Sequence, residues 1–369
     1  MDSLPIIDNA TGDVAAIVGQ FGDKTGNLWT NYANTARRQP GSSLKPLTVY
    51  SPALEMGLIT PITIIDDYPY NDSNRTGWPL NSGNDRYRGL TTVRQGLTRS
   101  VNTIAVRILA DLVTPQQSFN FAQDKYKLDL VDVMETSSGQ IKSDIDVAPL
   151  SMGGLTSGVS SRDMAEAYAT FPNSGVYTYS RTYTRVTQLV DGEEVVLLEN
   201  EPEKEPVIKE NTAYYINSML SNVISSPGGT AYGHGISGMT AAGKTGTTSE
   251  NYDRWFVGYT PYYTAAVWTG YDRNAKMRTS GNPALNLWEK VMEEIHAGLE
   301  NKKFPVPNGL SSVNFCLDSG MLPTEYCAMD PRGSRVASDS VFQGDGPSGP
   351  CTIHNDYFLI LSMVYLESL

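Results

Sequence analysis

The order in which two hydrophobic periodicities follow one another constrains the fold of this chain most. At the start, Ile6-Ile7-Asp8 and Val14-Ala15-Ala16-Ile17-Val18-Gly19 are β-rich runs joined by the turn-forming Asn9-Ala10-Thr11-Gly12-Asp13. From about Ser42 to Ile224 helical spacing takes over. Val101, Ile104, Ala105, Ile108 and Leu112 share one helical face, and Asn211 to Ile224 forms another helix. Ser160 and Asp163 open a further helix in capping-box fashion, with Met164, Tyr168 and Phe171 on its buried side. Short β-type runs return after Gly238, at 241–248, 254–259 and 263–271, separated by turns at 249–253 and Thr260-Pro261. A last helix follows Asn282-Pro283, with Leu285, Trp288, Met292, Ile295 and Leu299 as its apolar stripe. Strands, then helices, then three antiparallel strands and a helix indicate an α+β fold, one antiparallel sheet covered by helices.

The expected layout is one domain over residues 1–300. Its sheet comes from about 1–40 and 238–300, and a mostly helical part from about 42–237. Residues 301–351 are rich in Pro, Gly and Ser, so 301–369 reads as a linker and small extension. At 369 residues the chain has room for two domains, or one large domain with such an extension. With 40% hydrophobic residues, including 5 Trp, 21 Tyr and 9 Phe, it can bury a large core, which excludes wholesale disorder.

A net charge of −12 argues against a nucleic-acid binder, because neutralising phosphates needs surplus Lys and Arg. No apolar run is long enough to cross a membrane as a helix. The acidic start Met1-Asp2-Ser3-Leu4-Pro5 does not read as a signal peptide. The apolar tail Tyr357 to Leu366 is too short to span and reads as a packed strand or helix.

Three short motifs carry the chemistry: Ser42-Ser43-Leu44-Lys45, Ser100-Val101-Asn102 and Lys244-Thr245-Gly246-Thr247. Singly each is weak. Ser-x-Asn also occurs at Ser82, Ser118, Ser249, Ser280 and Ser312, and such residues ordinarily make turns or caps. Ser100 stands apart because it lies at the junction of two helical patterns, between the other two motifs. A helix beginning at Gly41-Ser42 puts Ser42 and Lys45 on one face, and Pro46 is tolerated so close to the start.

Ser42 then lies at a helix N-terminus, where free amides favour developing negative charge. A serine hydroxyl needs an adjacent base. Lys45 can serve if burial and a neighbouring cation, for which Lys244 is the candidate, depress its pKa. His234, His296 and His354 all lie away from the motifs, which disfavours a Ser-His-Asp triad. In the third motif, Gly246 removes a side chain where a ligand backbone could approach, and the flanking hydroxyls with Lys244 could hold a carboxylate. The alternative for that segment alone is a solvated strand end.

In order and setting, the three motifs resemble those of the penicillin-recognising serine acyltransferases. Arg37-Arg38-Gln39-Pro40-Gly41-Ser42-Ser43-Leu44-Lys45-Pro46, Gly153 to Val159, Lys244 to Thr248 and Trp255 to Pro261 are similar to the transpeptidase domain of class A penicillin-binding proteins. The likeness covers roughly residues 4–300. Val101 stands where class A β-lactamases usually carry Asp, which suits a penicillin-binding protein better.

The resemblance implies a β-lactamase/transpeptidase-like fold and a D,D-transpeptidase acting on peptidoglycan stem peptides, inhibited by β-lactams. Ser42 would be the nucleophile and Lys45 its base, with Ser100 and Lys244 relaying the proton. Asn102 would hold the donor peptide, Thr245 and Thr247 its carboxylate, and the amides of Ser42 and Thr247 the oxyanion. No cofactor is implied.

The resemblance also implies an extracytoplasmic protein, membrane-anchored and with an upstream glycosyltransferase domain at full length. Neither segment is present here, so this chain is expected to be an excised fragment. The competing readings are a D,D-carboxypeptidase, a β-lactamase, and a non-enzymatic β-lactam sensor or silent scaffold.

Three cysteines, all beyond residue 315, exclude a disulfide-built scaffold. Cys351 and His354 have ligand-like spacing, but a zinc site normally shows a second tight pair and Cys316 to Cys327 is too wide. The expectation is therefore no metal. A Cys316–Cys327 disulfide remains open, with Cys351 then unpaired.

Overall fold

The structure is a computed structural model that describes residues 2–23, 26–71, 77–82 and 87–355. Its centre is an antiparallel sheet of β1 (Asp2–Asp8), β2 (Val14–Val18), β3 (Ala242–Thr247), β4 (Asp253–Tyr259) and β5 (Tyr263–Gly270). The strands lie in the order β3-β4-β5-β1-β2. The N-terminal hairpin therefore extends the C-terminal meander, with Ile6 opposite Ala265 and Ile7 opposite Thr264.

β4 is apolar on both faces, as a strand sandwiched between helices must be. Side chains alternate across it, so Phe256 and Gly258 face one layer and Trp255, Val257 and Tyr259 the other. The helices that position the site are α1 (Val93–Thr98), α2 (Asn102–Arg107), α3 (Val147–Met152), α4 (Ser161–Ala169), α5 (Glu210–Ser225) and α6 (Pro283–Ile295).

α4 carries the expected capping box: the Asp163 amide donates to Ser160 Oγ at 3.1 Å and the Ser160 amide to Asp163 Oδ2 at 3.0 Å. Its Tyr168 packs edge-on against Tyr259, ring centroids 6.3 Å apart. α6 covers the opposite face. Asn282 caps it, and Trp288 meets Phe256 edge-on at 4.9 Å and donates from Nε1 to Gly258 O at 3.0 Å. A Cβ on Gly258 would fall 2.7 Å from the Trp288 ring, so the missing side chain seats the indole.

Several local expectations shift. The helix through Val101 begins at Asn102 and widens into a π-helical segment over Ile108–Val113. The wider turn rotates later residues off the buried face, which leaves Leu112 exposed. α6 ends at Ile295 with His296 as its C-cap, so Ile295 and Leu299 are exposed and the stripe stops at Met292. The helical region also contains two-stranded ribbons, among them Ile64–Asp67 with Gly89–Thr92 and Arg185–Val190 with Glu193–Glu199. The apolar tail from Tyr357 to Leu366 lies outside the described residues.

After α6, a hairpin of β6 (Leu310–Cys316) and β7 (Val336–Phe342), with the short helix α7 (Glu325–Ala328) between its strands, docks against the helices. Arg94 of α1 grips Asp339 bidentately at 2.6 and 2.8 Å. Tyr215 of α5 donates to Asp345 at 2.7 Å and accepts from the Phe342 amide at 2.8 Å. The segment is thus folded and attached. Cys316, Cys327 and Cys351 are all free thiols, so the Cys316–Cys327 disulfide left open by the sequence is not formed.

Trp288 is the largest of the buried side chains, with Ala284, Leu285 and Met292, that α6 packs into the core. Trp288→Ala should cost about 3–5 kcal/mol in urea unfolding. A loss below about 1 kcal/mol would mean that α6 lies outside the cooperative core.

Candidate active site

The first motif folds as the sequence anticipates but with different pitch. Gly41–Leu44 is a 3₁₀ turn, followed by a π-helical segment over Pro46–Tyr50 and an α-helix over Ser51–Glu55. Pro46 explains the tight start. It has no N–H to give to Ser42 O in an α-turn, and the Lys45 N–H bonds that carbonyl instead. In a 3₁₀ turn residues i and i+3 eclipse, so Ser42 and Lys45 lie one above the other.

β3 is pressed onto this turn. Gly41 has φ +56°, and a Cβ there would fall 2.5 Å from Thr247 O and 2.9 Å from Thr247 N. A Cβ on Gly246 would fall 2.2 Å from Pro40 O. The sequence reading gave the space beside Gly246 to a ligand backbone. In the structure the turn that carries Ser42 itself fills it, which joins the first and third motifs.

The middle motif supplies the meeting point for two amines. Ser100 sits between α1 and α2 with φ +60°, held by its amide to Leu97 O at 3.1 Å and by the Val101 amide to Gly96 O at 2.8 Å. Lys244, fully buried, donates from Nζ to Ser100 Oγ at 2.8 Å and to Thr245 O at 3.1 Å. Lys45, equally buried, donates to Ser100 O at 2.8 Å, Asn102 Oδ1 at 2.7 Å and Val101 O at 3.4 Å. Its Nζ lies 3.5 Å from Ser100 Oγ.

Burial holds the Lys45 pKa well below the ordinary lysine value, and the nearby Lys244 charge adds to this. Burial lowers Lys244 to about 7. A neutral Lys45 amine keeps two donors and gains a lone pair, as a base needs.

Asn102 is partly committed to structure. Its Oδ1 accepts from Lys45, its Nδ2 donates to Leu80 O at 2.7 Å, and its backbone amide donates to Asn81 Oδ1 at 2.9 Å. One amide hydrogen and one lone pair are left for a ligand. Asp67, fully buried, anchors this arrangement by accepting from Thr103 Oγ1, from Asn81 Nδ2 at 2.9 Å and from the Arg88 amide at 2.9 Å.

Ser42, Asn102, Gly153, Thr247, Thr248 and Arg254 border one cleft of about 600 Å³. Thr247 Oγ1 accepts from Arg254 Nη1 at 2.8 Å, whereas Thr245 Oγ1 shares a hydrogen bond with Thr230 Oγ1 at 2.7 Å. Behind the cleft, buried Asp253 accepts from Thr248 Oγ1 at 3.0 Å and from Trp268 Nε1 at 2.9 Å. The histidines are elsewhere: His234 on Glu289, His296 on Thr260, His354 among the C-terminal cysteines. All eight residues singled out from the motifs therefore lie on or directly behind the segments that form this cleft.

The sequence reading did not pick out Asp67, Asn81 or Arg254. Arg254 sits opposite Thr247 across the β3–β4 pairing and was legible only as a strand position. Asp67 and Asn81 carry no local signal.

A family model described as the penicillin binding protein transpeptidase domain matches residues 3–293. The chain belongs to that family. It is 35% identical over 366 residues to penicillin-binding protein 1A of Clostridium perfringens, covering 96% of this chain and 42% of the relative. It is 36% identical over 360 residues to penicillin-binding protein 1A of Clostridium botulinum, covering 95% and 42%. The chain thus spans about two fifths of the length of these curated relatives.

Two solved structures share the fold of the transpeptidase domain. Penicillin-binding protein 1A from Haemophilus influenzae has a TM-score of 0.74 at 22% identity, over 95% of this chain and 54% of that one. PonA1 from Mycobacterium tuberculosis, in complex with penicillin V, has a TM-score of 0.68 at 24% identity, over 84% of this chain and 81% of that one. The α+β, β-lactamase/transpeptidase-like assignment made from the sequence holds.

The buried amines make stability depend on pH. Native Lys244 titrates near 7, but in the unfolded chain near 10.4, so between these values the unfolded state binds more protons. Stability should therefore rise from pH 7 to pH 9, by at most about 1.4 kcal/mol per pH unit from this group. Urea unfolding of wild type and Lys244→Met at both pH values tests this. The variant should gain less than wild type, and equal gains would show that Lys244 keeps an ordinary pKa.

Proposed function

We propose that this chain is a serine D,D-transpeptidase that cross-links peptidoglycan stem peptides through an ester on Ser42. The observation that carries the reading is the convergence on Ser100 of two buried amines with lowered pKa, one of which, Lys45, lies one turn along the chain from Ser42 at the cleft.

Neutral Lys45 removes the Ser42 proton as Oγ attacks the carbonyl between the two terminal D-alanines. The oxyanion that forms is met by the backbone amides of Ser42 and Thr247. The closeness of Gly41 to Thr247 supports this pairing, because a Cβ on Gly41 would fall 2.9 Å from the Thr247 nitrogen. The C–N bond then breaks. The proton passes from Lys45 by way of Ser100 Oγ and Lys244 to the departing amine, and D-alanine leaves. An amine of a second stem peptide attacks the ester, gives its proton back through the same groups, and restores the Ser42 hydroxyl as the cross-link forms.

Thr247, with Arg254 behind it, is the better placed of the two threonines to receive the donor carboxylate. The spare donor and acceptor of Asn102 face the donor's peptide group. A β-lactam enters as a donor mimic: its ring amide opens onto Ser42 and the amine stays attached.

Among the described residues lining the cleft there is no carboxylate to activate a deacylating water, which favours a long-lived ester over β-lactamase turnover. The finer reading places the full-length protein outside the cytoplasm, membrane-anchored and with an upstream glycosyltransferase domain. It rests on the family likeness and on the greater length of the curated relatives. Among the described residues no helix is long and apolar enough to cross a membrane.

A fluorescent penicillin should label wild type at Ser42, located by peptide mass spectrometry, with Ser42→Ala unlabelled. Lys45→Ala should acylate about 10²–10⁴-fold more slowly. Normal labelling of Lys45→Ala at neutral pH would remove Lys45 as base, and rapid loss of the adduct from wild type would point to a β-lactamase. A peptide ending in D-Ala-D-Ala separates the remaining readings. Cross-linked product that grows with added acceptor amine marks a transpeptidase, release of D-alanine alone a carboxypeptidase, and no turnover a sensor or scaffold.

Thr247→Ala should weaken acylation by carboxylate-bearing ligands more than it slows a small uncharged ester. Equal losses would reject its role in carboxylate binding.

A further inference from the structure

The C-terminal hairpin brings four metal-ligating side chains together that the sequence leaves apart. Cys316 ends β6, Cys327 lies in α7, and Cys351 and His354 follow β7 on a segment tied to the chain before α7. The Cys351 amide donates to Leu322 O at 2.7 Å and the Leu322 amide to Gly349 O at 2.9 Å. All four side chains are buried, and their ligand atoms lie within 4.8 Å of one another. The gap from Cys316 to Cys327, too wide for a tight pair in sequence, is closed by the turn after β6 and by α7.

The distances fit one tetrahedral ion. Zinc bonds of about 2.3 Å to sulfur and 2.0–2.1 Å to nitrogen put ligands about 3.8 Å apart for sulfur pairs and about 3.6 Å for sulfur–nitrogen pairs. Cys316 and Cys351 Sγ are 3.6 Å apart, and His354 Nδ1 is 3.4 Å from Cys316 Sγ and 3.5 Å from Cys351 Sγ.

The surroundings fit as well. His354 Nε2 faces Asp330 at 3.0 Å and Asp318 at 3.1 Å, which aims Nδ1 at the sulfurs. Arg332 and Arg335 neutralise these two carboxylates. The amides of Asp318 and Thr324 donate to Cys316 Sγ and Cys327 Sγ at 3.4 and 3.3 Å, as backbone donors do toward thiolates. Beside this cluster the hairpin adds only a small apolar core, Phe315 and Val341 packed with Ile62 of the preceding domain. Modules with so little core ordinarily need a staple.

We propose that Cys316, Cys327, Cys351 and His354 form a closed Cys₃His site that binds one structural Zn²⁺ and holds the C-terminal hairpin together. Each thiol loses its proton on binding, and no position is left open for catalysis. The inference is independent of the reaction assigned to Ser42.

The test uses the whole chain, purified with reductant and without a metal-affinity tag. Elemental analysis should find about one zinc per chain after gel filtration from excess zinc, falling severalfold in Cys327→Ser and Cys351→Ser. In case the variants do not fold, wild type is titrated with an organomercurial, which should release its zinc as three thiolates are consumed. Cobalt reconstitution should give the visible bands of a tetrahedral thiolate site, and chelation should lower the hairpin's melting temperature. A chain that retains no zinc overturns the proposal, whether its thiols are free or Cys316 and Cys351 are oxidised to a disulfide lighter by two hydrogens.

Discussion

Burying two lysine side chains beside one serine is the constraint around which this molecule is arranged. An ammonium group removed from water is strongly penalised unless paired, and among the described residues Lys45 and Lys244 bond only neutral oxygens. Mutual repulsion adds to the penalty at Lys45. The fold resolves the conflict by lowering both pKa values, so that what destabilises the native state at neutral pH also yields an amine able to accept a proton. Ser100 can serve both amines because its left-handed backbone turns its carbonyl to Lys45 and its hydroxyl to Lys244. A residue in that conformation is strained, and strain of this kind is retained where surrounding structure over-determines it.

The elements holding this trio are rigid for reasons that trace to particular residues. Pro46 forces the 3₁₀ start that stacks Ser42 over Lys45. Gly41 and Gly246 let β3 touch the turn that carries Ser42 at backbone distance. Asp67 ties together three segments around the start of α2. On the far side, Arg94 joins α1, which leads into Ser100, to the C-terminal hairpin. That hairpin is therefore mechanically continuous with the site although none of its residues borders the cleft.

Much of this was legible in the sequence because its signals are local. Alternating and 3.6-residue periodicities, caps such as Ser160 with Asp163, and turn clusters placed the strands of the central sheet and the helices around 102–113, 161–169, 210–225 and 283–295 to within a few residues and settled an α+β class, but not the small ribbons or the C-terminal hairpin. The three motifs, read in order with their flanks, named the residues that meet at the cleft. Errors arose where a local signal has two physical meanings. Gly246 signals close approach, but the approaching group was the protein's own turn. The meeting of Cys351 and His354 with Cys316 and Cys327 left no local signal to read, because those two arrive from a strand end and a separate helix. The stripe on the last helix overran its C-cap because periodicity cannot tell a buried apolar residue from an exposed one beyond the last turn.

By itself the sequence determined which groups could act as nucleophile, base and carboxylate ligand, and which segments could be strands or helices, since these depend on side-chain chemistry and short-range backbone preference. Tertiary structure alone decided that β1 pairs with β5 and that two amines nearly 200 residues apart share one serine. It also decided how much of Asn102 is left for a ligand and that three cysteines and a histidine share one buried point. Those outcomes follow from packing distant segments against a common core, where the low dielectric shifts the pKa values, and no spacing along the chain encodes that environment.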